Sequence, residues 1–155
     1  MGRLTDAHTS RTSRSAPRLT VVSSALNIAS ALVLRPQIRI VSLGGVVRSR
    51  SYELTGPIAT EAMSSLWLDC MVLGFVGLDA SFGATCSDTD EAAVTRTMIE
   101  HSETILAVGT SEKIGKRSFA RICKTPAINT LITDKGLNRD QLKLLKSAKV
   151  EVIAV

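Results

Sequence analysis

The chain has 155 residues and a formal net charge of +5, with 45% hydrophobic and only 3% aromatic residues. This size and apolar content exclude a disordered polymer and allow one domain with a real core, filled by Val, Ile, Leu, Ala and Met as in a buried parallel sheet. The charge is uneven, since residues 1–18 hold four Arg against one Asp, and with so few aromatics any attraction to nucleic acid is non-specific.

Three cysteines, Cys70, Cys86 and Cys123, form no CxxC pair, which argues against both a disulfide framework and a zinc site. No apolar run reaches the ~18 residues of a membrane span, and the N-terminus has no secretory apolar stretch. The expectation is a soluble, cytoplasmic protein.

Residues 1–18, rich in Ser, Thr and Arg, read as a flexible basic arm ahead of a single domain over 19–155. Leu19–Ser23 is a β-branched strand, and Ser23 and Ser24 offer an N-cap to a helix across Ala25–Leu34. Arg35-Pro36 stops that helix, because the residue before proline is pushed out of the α region. Arg39–Leu43 is a second strand ending at Gly44-Gly45, a pair that suits either a close backbone approach to a ligand or a tight turn. Tyr52–Thr55 reads as a short strand or a partner-facing loop. Gly56-Pro57 then opens a helix to about Leu66, with proline at its first position.

Trp67–Gly74 is the most hydrophobic strand and is expected at the centre of the sheet. It spills into a Gly-rich polar passage, Phe75–Ser87, and then a helix from Thr89 to about Ser102 that buries Ala92, Ala93, Met98 and Ile99. Asp88 and Glu91 stand three apart, as in a capping box with Asp in the Ser/Thr place. Thr104–Val108 is a fourth strand, followed by the polar loop GTSEKIGKRS. A fifth strand lies within Ala127–Thr133, an amphipathic helix spans Asn138–Ser147, and Val150–Val155 closes the chain as a strand. Alternating strands and helices imply an α/β class: an open, mostly parallel, Rossmann-like sheet with helices on both faces.

No GxGxxG, Walker A, GxSxG or HExxH pattern is present. His8 lies in the arm, and His101 reads as a cation at a helix C-terminus. That leaves no histidine-based triad, no catalytic assignment, no metal ligands and no cofactor. The carboxylates Asp79, Asp88, Asp90 and Glu91 are open to two readings: caps and turn formers, or acceptors for the hydroxyls of a polyol. In the second reading Lys113, glycine amides and a helix N-terminus would take a phosphate. Cys86 is either an exposed loop thiol or a buried, inert one.

Several segments carry a resemblance. They are LTVVSSALNIA at 19–29, LGG at 43–45, GPIATEAM at 56–63, LDCMVLGFVGLD at 68–79, GATCSDTDEAAVTRTMI at 83–99, SEKIGKRSFARI at 111–122 and LITDKGL at 131–137. In this order and spacing they resemble the C-terminal effector domain of the DeoR family of bacterial transcriptional regulators. The resemblance implies a fold similar to ribose-phosphate isomerases and glucosamine-phosphate deaminases. It also implies a pocket for a phosphorylated sugar, homo-oligomers, and DNA binding through an N-terminal helix-turn-helix. Carried over by motif, the pocket would use Ser23, Ser24, Gly44, Gly45, Gly77, Asp79, Thr85, Glu91 and Lys113, with Arg96 at a basic position of the helix.

Departures from the family pattern remove polar groups. The family's DSGTT-like strand and phosphate loop have no evident counterpart before Leu19. Val76 stands where Asp or Asn is common, Ser24 and Ala25 alter a TNS-like turn, and Gly109 replaces an Asp. Eighteen residues are also too few for a helix-turn-helix, which needs a packed partner helix. The sequence therefore reads as the sensing and oligomerising part of a repressor. The alternatives are a sugar-phosphate isomerase or deaminase with Glu91 or Asp79 as base, and a module that only dimerises through an exposed sheet edge.

Overall fold

A computed structural model describes residues 19–155; the basic arm expected over 1–18 lies outside the described residues. Eleven strands and four α-helices make up the described chain. Six of the strands are parallel and follow the expected alternation. β1 (Thr20–Ser23) pairs with β2 (Arg39–Ser42) around helix α1 (Leu26–Val33). The other four are β5 (Leu68–Gly74), β8 (Ser102–Val108), β10 (Thr130–Thr133) and β11 (Glu151–Ala154), which lie in the order β11-β10-β8-β5. Helices α3 (Thr89–Glu100) and α4 (Arg139–Ser147) connect β5 to β8 and β10 to β11. This is an α/β fold.

Two antiparallel additions break the simple alternation. β3 (Val46–Val47) and β4 (Leu54–Thr55) form a small hairpin that leads into α2 (Pro57–Ser64). β6 (Gly77–Asp79), β7 (Gly83–Cys86) and β9 (Ala120–Cys123) form a three-stranded sheet. The expected Gly-rich passage between strand and helix is thus the β6–β7 hairpin, and β9 was not expected at all. Glycine and polar residues hide these strands from a reading of apolar periodicity. Their stability comes from pairing with one another and from the complete burial of Leu78 and Ala84.

The core joins the sheet, hairpin and helices through Met71, Leu73, Leu78, Val94, Ile105, Leu131 and Leu145. Alternation along the parallel strands places Met71, Leu73, Ile105, Ala107 and Leu131 in buried positions. The opposite row is more open, with Val72, Val108 and Ile153 all exposed. Helices therefore do not seal both faces of this sheet among the described residues.

Three further expectations are corrected. Among the described residues β5 is an edge strand, not the centre, because β8 and β10 take the interior positions. Helix α1 is capped at Ala25 with no side-chain bond; the Ser23 hydroxyl instead accepts from the Ala25 amide, 3.0 Å away, and makes a local turn. On α3 the buried set is Ala92, Val94 and Met98, with Ala93 exposed, since the helix turns its Val94 side to the core. Proline at the start of α2 is as expected. Helix α4 lies within the expected Asn138–Ser147, and Asn138 caps it in a full capping box with Gln141.

Candidate functional site

In an open α/β sheet the segments that leave the carboxyl ends of strands are where backbone amides and polar side chains meet a ligand. Most of the candidate residues stand in such segments. Ser23 ends β1 and Ser24 follows it, Gly44 and Gly45 follow β2, Gly77 opens β6 just after β5, and Lys113 follows β8. The structure gathers several of the ten candidates into two neighbourhoods and leaves Lys113 and Arg96 outside both.

The first neighbourhood joins the β1–α1 turn, the β3–β4 hairpin and the start of α3. The Ser24 hydroxyl donates to the Glu53 carboxylate at 2.6 Å, and the Leu54 amide donates to the Ser24 carbonyl at 2.7 Å. Arg48, on the same hairpin, places Nη1 2.6 Å from Glu91 and Nη2 3.3 Å from Asp88. Asp88 also caps α3 by accepting from the amides of Asp90 and Glu91. The expected reciprocal half of that capping box is absent, because the Glu91 carboxylate turns to Arg48 instead.

Electrostatics differ between the two carboxylates on Arg48. Burial pushes the Glu91 carboxyl above its ordinary value, opposed by Arg48 and reinforced by Glu53 and Asp88. The hydrogen bond from the Glu91 amide holds Asp88 below its ordinary value. Cys86, buried beneath them, donates to the Asp88 carbonyl, and its thiol is pushed up by burial. Of its two readings, the inert thiol is the one the structure supports.

The second neighbourhood is the β6–β7 hairpin with the loop before β9. Thr85 is fully buried; its hydroxyl donates to the Gly77 carbonyl and accepts from the Ser118 amide, both at 2.9 Å. Asp79 accepts from the Ser81 amide and hydroxyl and from the Phe82 amide. It also meets Arg117 at 3.1 Å. The Ser81 hydroxyl and Arg117 together hold its carboxyl down at about 2. Arg117 and Arg121 both lie over the Phe82 ring, about 5 Å from its centre. Asp79 and Thr85 thus spend their hydrogen bonds on the hairpin itself, as the turn-former reading of Asp79 requires.

The glycines are used for packing. A side chain at Gly45 would meet the Thr55 carbonyl and the Ala59 methyl, and one at Gly77 would meet the Lys116 carbonyl. Gly44 and Gly45 both have positive φ, so this pair makes the turn into β3. At Gly109 the missing side chain has a direct cause, since a Cβ there would lie 2.6 Å from the Phe75 ring.

Lys113 sits in a single 3-10 turn, Ser111–Lys113. That turn is pinned by the Ser111 amide donating to Asp134 at 2.9 Å and the Gly115 amide donating to the Leu78 carbonyl at 2.8 Å. Among the described residues Lys113 forms no ion pair, so its ammonium is uncommitted. Arg96 is exposed on α3, its Nε 3.3 Å from the Ala92 carbonyl, and joins neither neighbourhood. His101 caps the end of α3 and donates from Nδ1 to the Thr97 carbonyl.

Arg48 and Glu53 are the functional candidates that sequence reasoning missed. Their one signal is position: they are two of the three charged residues between a Gly pair and a Gly-Pro, in a connection too long for a simple turn. Two surface cavities of about 490 and 480 Å³ lie elsewhere. One is bounded by Gly56, Pro57, Thr60, Glu61, Asp90 and Ala93, the other by the outer side of α4. None of the ten candidates lines either. Among the described residues no group of His, Cys, Asp and Glu is arranged to hold a metal, and no helix is long and apolar enough to cross a membrane.

Comparison with known proteins gives this arrangement a family. The chain is 31% identical over 88% of its length to an uncharacterised HTH-type transcriptional regulator, YulB, of Bacillus subtilis, covering 53% of that protein. It is 31% identical over 86% of its length to a putative aga operon transcriptional repressor of Escherichia coli O157:H7, covering 50% of it. It is 28% identical over 75% of its length to the glycerol-3-phosphate regulon repressor of Escherichia coli K12, covering 46% of it. The chain therefore spans about half the length of the curated relatives it matches. The family model for the DeoR C terminal sensor domain matches residues 5–135, and the chain belongs to that family.

Proposed function

We propose that this chain is the sensing part of a transcriptional repressor and binds a phosphorylated sugar or polyol at its strand ends. The bound state would alter the DNA affinity of a helix-turn-helix that the matched half of its relatives does not include. The observation that carries this reading is the neighbourhood of Ser24, Arg48, Glu53 and Glu91. Three elements distant in sequence bring hydroxyl, guanidinium and carboxylates together, half-buried, at the carboxyl end of a parallel strand. Carboxylates accept from sugar hydroxyls, and a guanidinium that can exchange a carboxylate partner suits a phosphate. Lys113 supplies a second, uncommitted cation. Ser23, Gly44, Gly45, Gly77, Asp79 and Thr85 shape the turns around the site, and Arg96 contributes charge from its flank.

The names of the relatives support the ligand class, since one is described as a glycerol-3-phosphate regulon repressor. The fold reading extends to an open sheet of the ribose-phosphate isomerase kind, with sensing in place of turnover. Self-association belongs to the same proposal, supported by the exposed row of Val72, Val108 and Ile153 on the sheet.

A ligand that binds only the native state raises Tm in proportion to its saturation. Three- to six-carbon sugar and polyol phosphates, with the free sugars and inorganic phosphate as controls, are scanned by thermal denaturation. A shift with one phosphorylated compound, lost in Lys113→Met, is the expected result. No shift from any of them at millimolar concentration would refute a working sensor, and turnover of an aldose phosphate would make the chain an enzyme instead.

A further inference from the structure

We infer that this chain carries a face for single-stranded nucleic acid, formed by helix α4, the loop over residues 113–118 and strand β9, and that it holds the strand without sequence preference. Phe119 and the α4 cations take no part in the proposed sugar-phosphate site, so either reading can fail without the other.

Charge is divided along the described chain. Residues 53–112 hold ten Asp and Glu against one Arg, whereas residues 113–149 hold ten Lys and Arg against two Asp. All ten of those cations except Lys113 are exposed. Among the described residues only Arg117 of the ten forms an ion pair, with Asp79. Of the two acids, Asp134 is committed to the amides of Ser111 and Gly136, and Asp140 stands in the first turn of α4. An ordinary solvated face mixes the two signs; a face of one sign collects polyanions.

The fold gathers these cations onto neighbouring elements. Arg139, Lys143 and Lys146 recur at helical spacing on one side of α4, and with Leu142 and Ser147 they bound the concavity of about 480 Å³. The start of α4 is tied to the loop, because the Gln141 side-chain amide donates to the Ile114 carbonyl at 2.9 Å. The loop runs directly into β9, where Ala120 and Ile122 are buried and the alternate residues Phe119 and Arg121 are exposed.

Phe119 decides between kinds of polyanion. Its side chain is 82% exposed. In sequence it stands between Arg117 and Arg121, whose guanidiniums lie over the Phe82 ring, 5.1 and 5.0 Å from its centre. An acidic peptide or a duplex backbone would use the cations and leave Phe119 in water. An unpaired base stacks on an exposed ring while its phosphates meet the cations beside it, and this needs no particular base.

The test follows the fluorescence anisotropy of a labelled oligothymidylate of ~16 nucleotides, about one site size, on addition of the full chain. A hairpin duplex of equal charge and polyglutamate serve as competitors. The single strand is expected to bind about tenfold more tightly than the duplex, and Phe119→Ala to remove that preference by weakening the single strand alone. Lys143→Gln with Lys146→Gln is expected to lower the slope of log affinity against log salt by about 1.4, at ~0.7 for each single-strand phosphate contact. All three positions are exposed, so an unchanged denaturant midpoint separates lost binding from lost fold. Residues 1–18 keep their four Arg in every variant; binding that survives both changes would belong to them and would overturn the proposal. Equal affinity for the duplex, or equal competition by polyglutamate, would overturn it as well. So would self-association at low salt that the oligonucleotide does not disperse, which would give the basic face to the acidic residues of a second copy.

Discussion

The two neighbourhoods around the strand ends hold the same kinds of residue and do opposite things with them. In the β6–β7 hairpin, Asp79 and Thr85 are satisfied by groups on the hairpin and the loop packed on it. Nothing there is left to offer a ligand. Between the β1–α1 turn, the β3–β4 hairpin and α3, Arg48 meets Glu91 and Asp88 and Glu53 accepts from Ser24, across gaps of up to 43 residues in the chain. A carboxylate bound by its own turn stabilises a loop, whereas one bound by a distant cation can exchange that partner for a ligand. Residue type alone does not separate the two cases; Asp79 also accepts from the Ser81 amide and hydroxyl and the Phe82 amide of its own turn, whereas the Glu91 carboxylate rests on Arg48.

The contrast can be broken from either side. Gly83→Ala is expected to have the largest effect, because φ is +119° and a Cβ would run into the Cys123 carbonyl. The β7–β9 pairing would have to part, costing about 3 kcal/mol or more, read as a fall in the denaturant midpoint with unchanged slope. Thr85→Val follows at about 2 kcal/mol, since it strands the buried Gly77 carbonyl and Ser118 amide. If the hairpin only supports the site, this variant binds effector normally once folded.

Arg48→Met tests the other neighbourhood. Losing the charged hydrogen bond to Glu91 is expected to cost about 2 kcal/mol and to lift the Glu91 titration further, followed by NMR of its side chain. The sign follows from linkage. Glu91 is raised above 4.5, so the folded state holds its proton more tightly than the unfolded one. Its contribution to stability is full below that value and is lost as pH rises through the raised one. Without Arg48 the loss is greater and extends to higher pH. The same variant is expected to abolish the ligand-dependent rise in Tm, which Thr85→Val would leave intact.

Asp79→Asn is expected to be the mildest of these changes at neutral pH and the most informative in acid. A carboxyl lowered from 3.8 to about 2 stabilises the fold above pH ~3.8 and loses that contribution as pH falls towards 2. Denaturation midpoints of the two proteins should therefore converge over that interval. A constant difference between them would mean that Asp79 acts through geometry and not charge.

The alternation of β-branched runs with capped amphipathic segments was enough to identify six parallel strands, four helices and the Pro57 and Asn138 helix starts. Those features are local: each depends on residues within a few positions, and periodicity or a capping side chain reports it. The order of motifs was likewise enough to identify the family. What lay beyond the sequence was set by contacts between distant residues. The β6–β7–β9 sheet exists because glycine-containing segments find one another, Gly109 is small because Phe75 lies over it, and Arg48 faces Glu91 because a hairpin folds onto a helix start. The edge position of β5 belongs to the same class. Hydrophobicity determined that this strand contributes to the core, but only the hydrogen-bonded order of the sheet decided that it stands at an edge among the described residues.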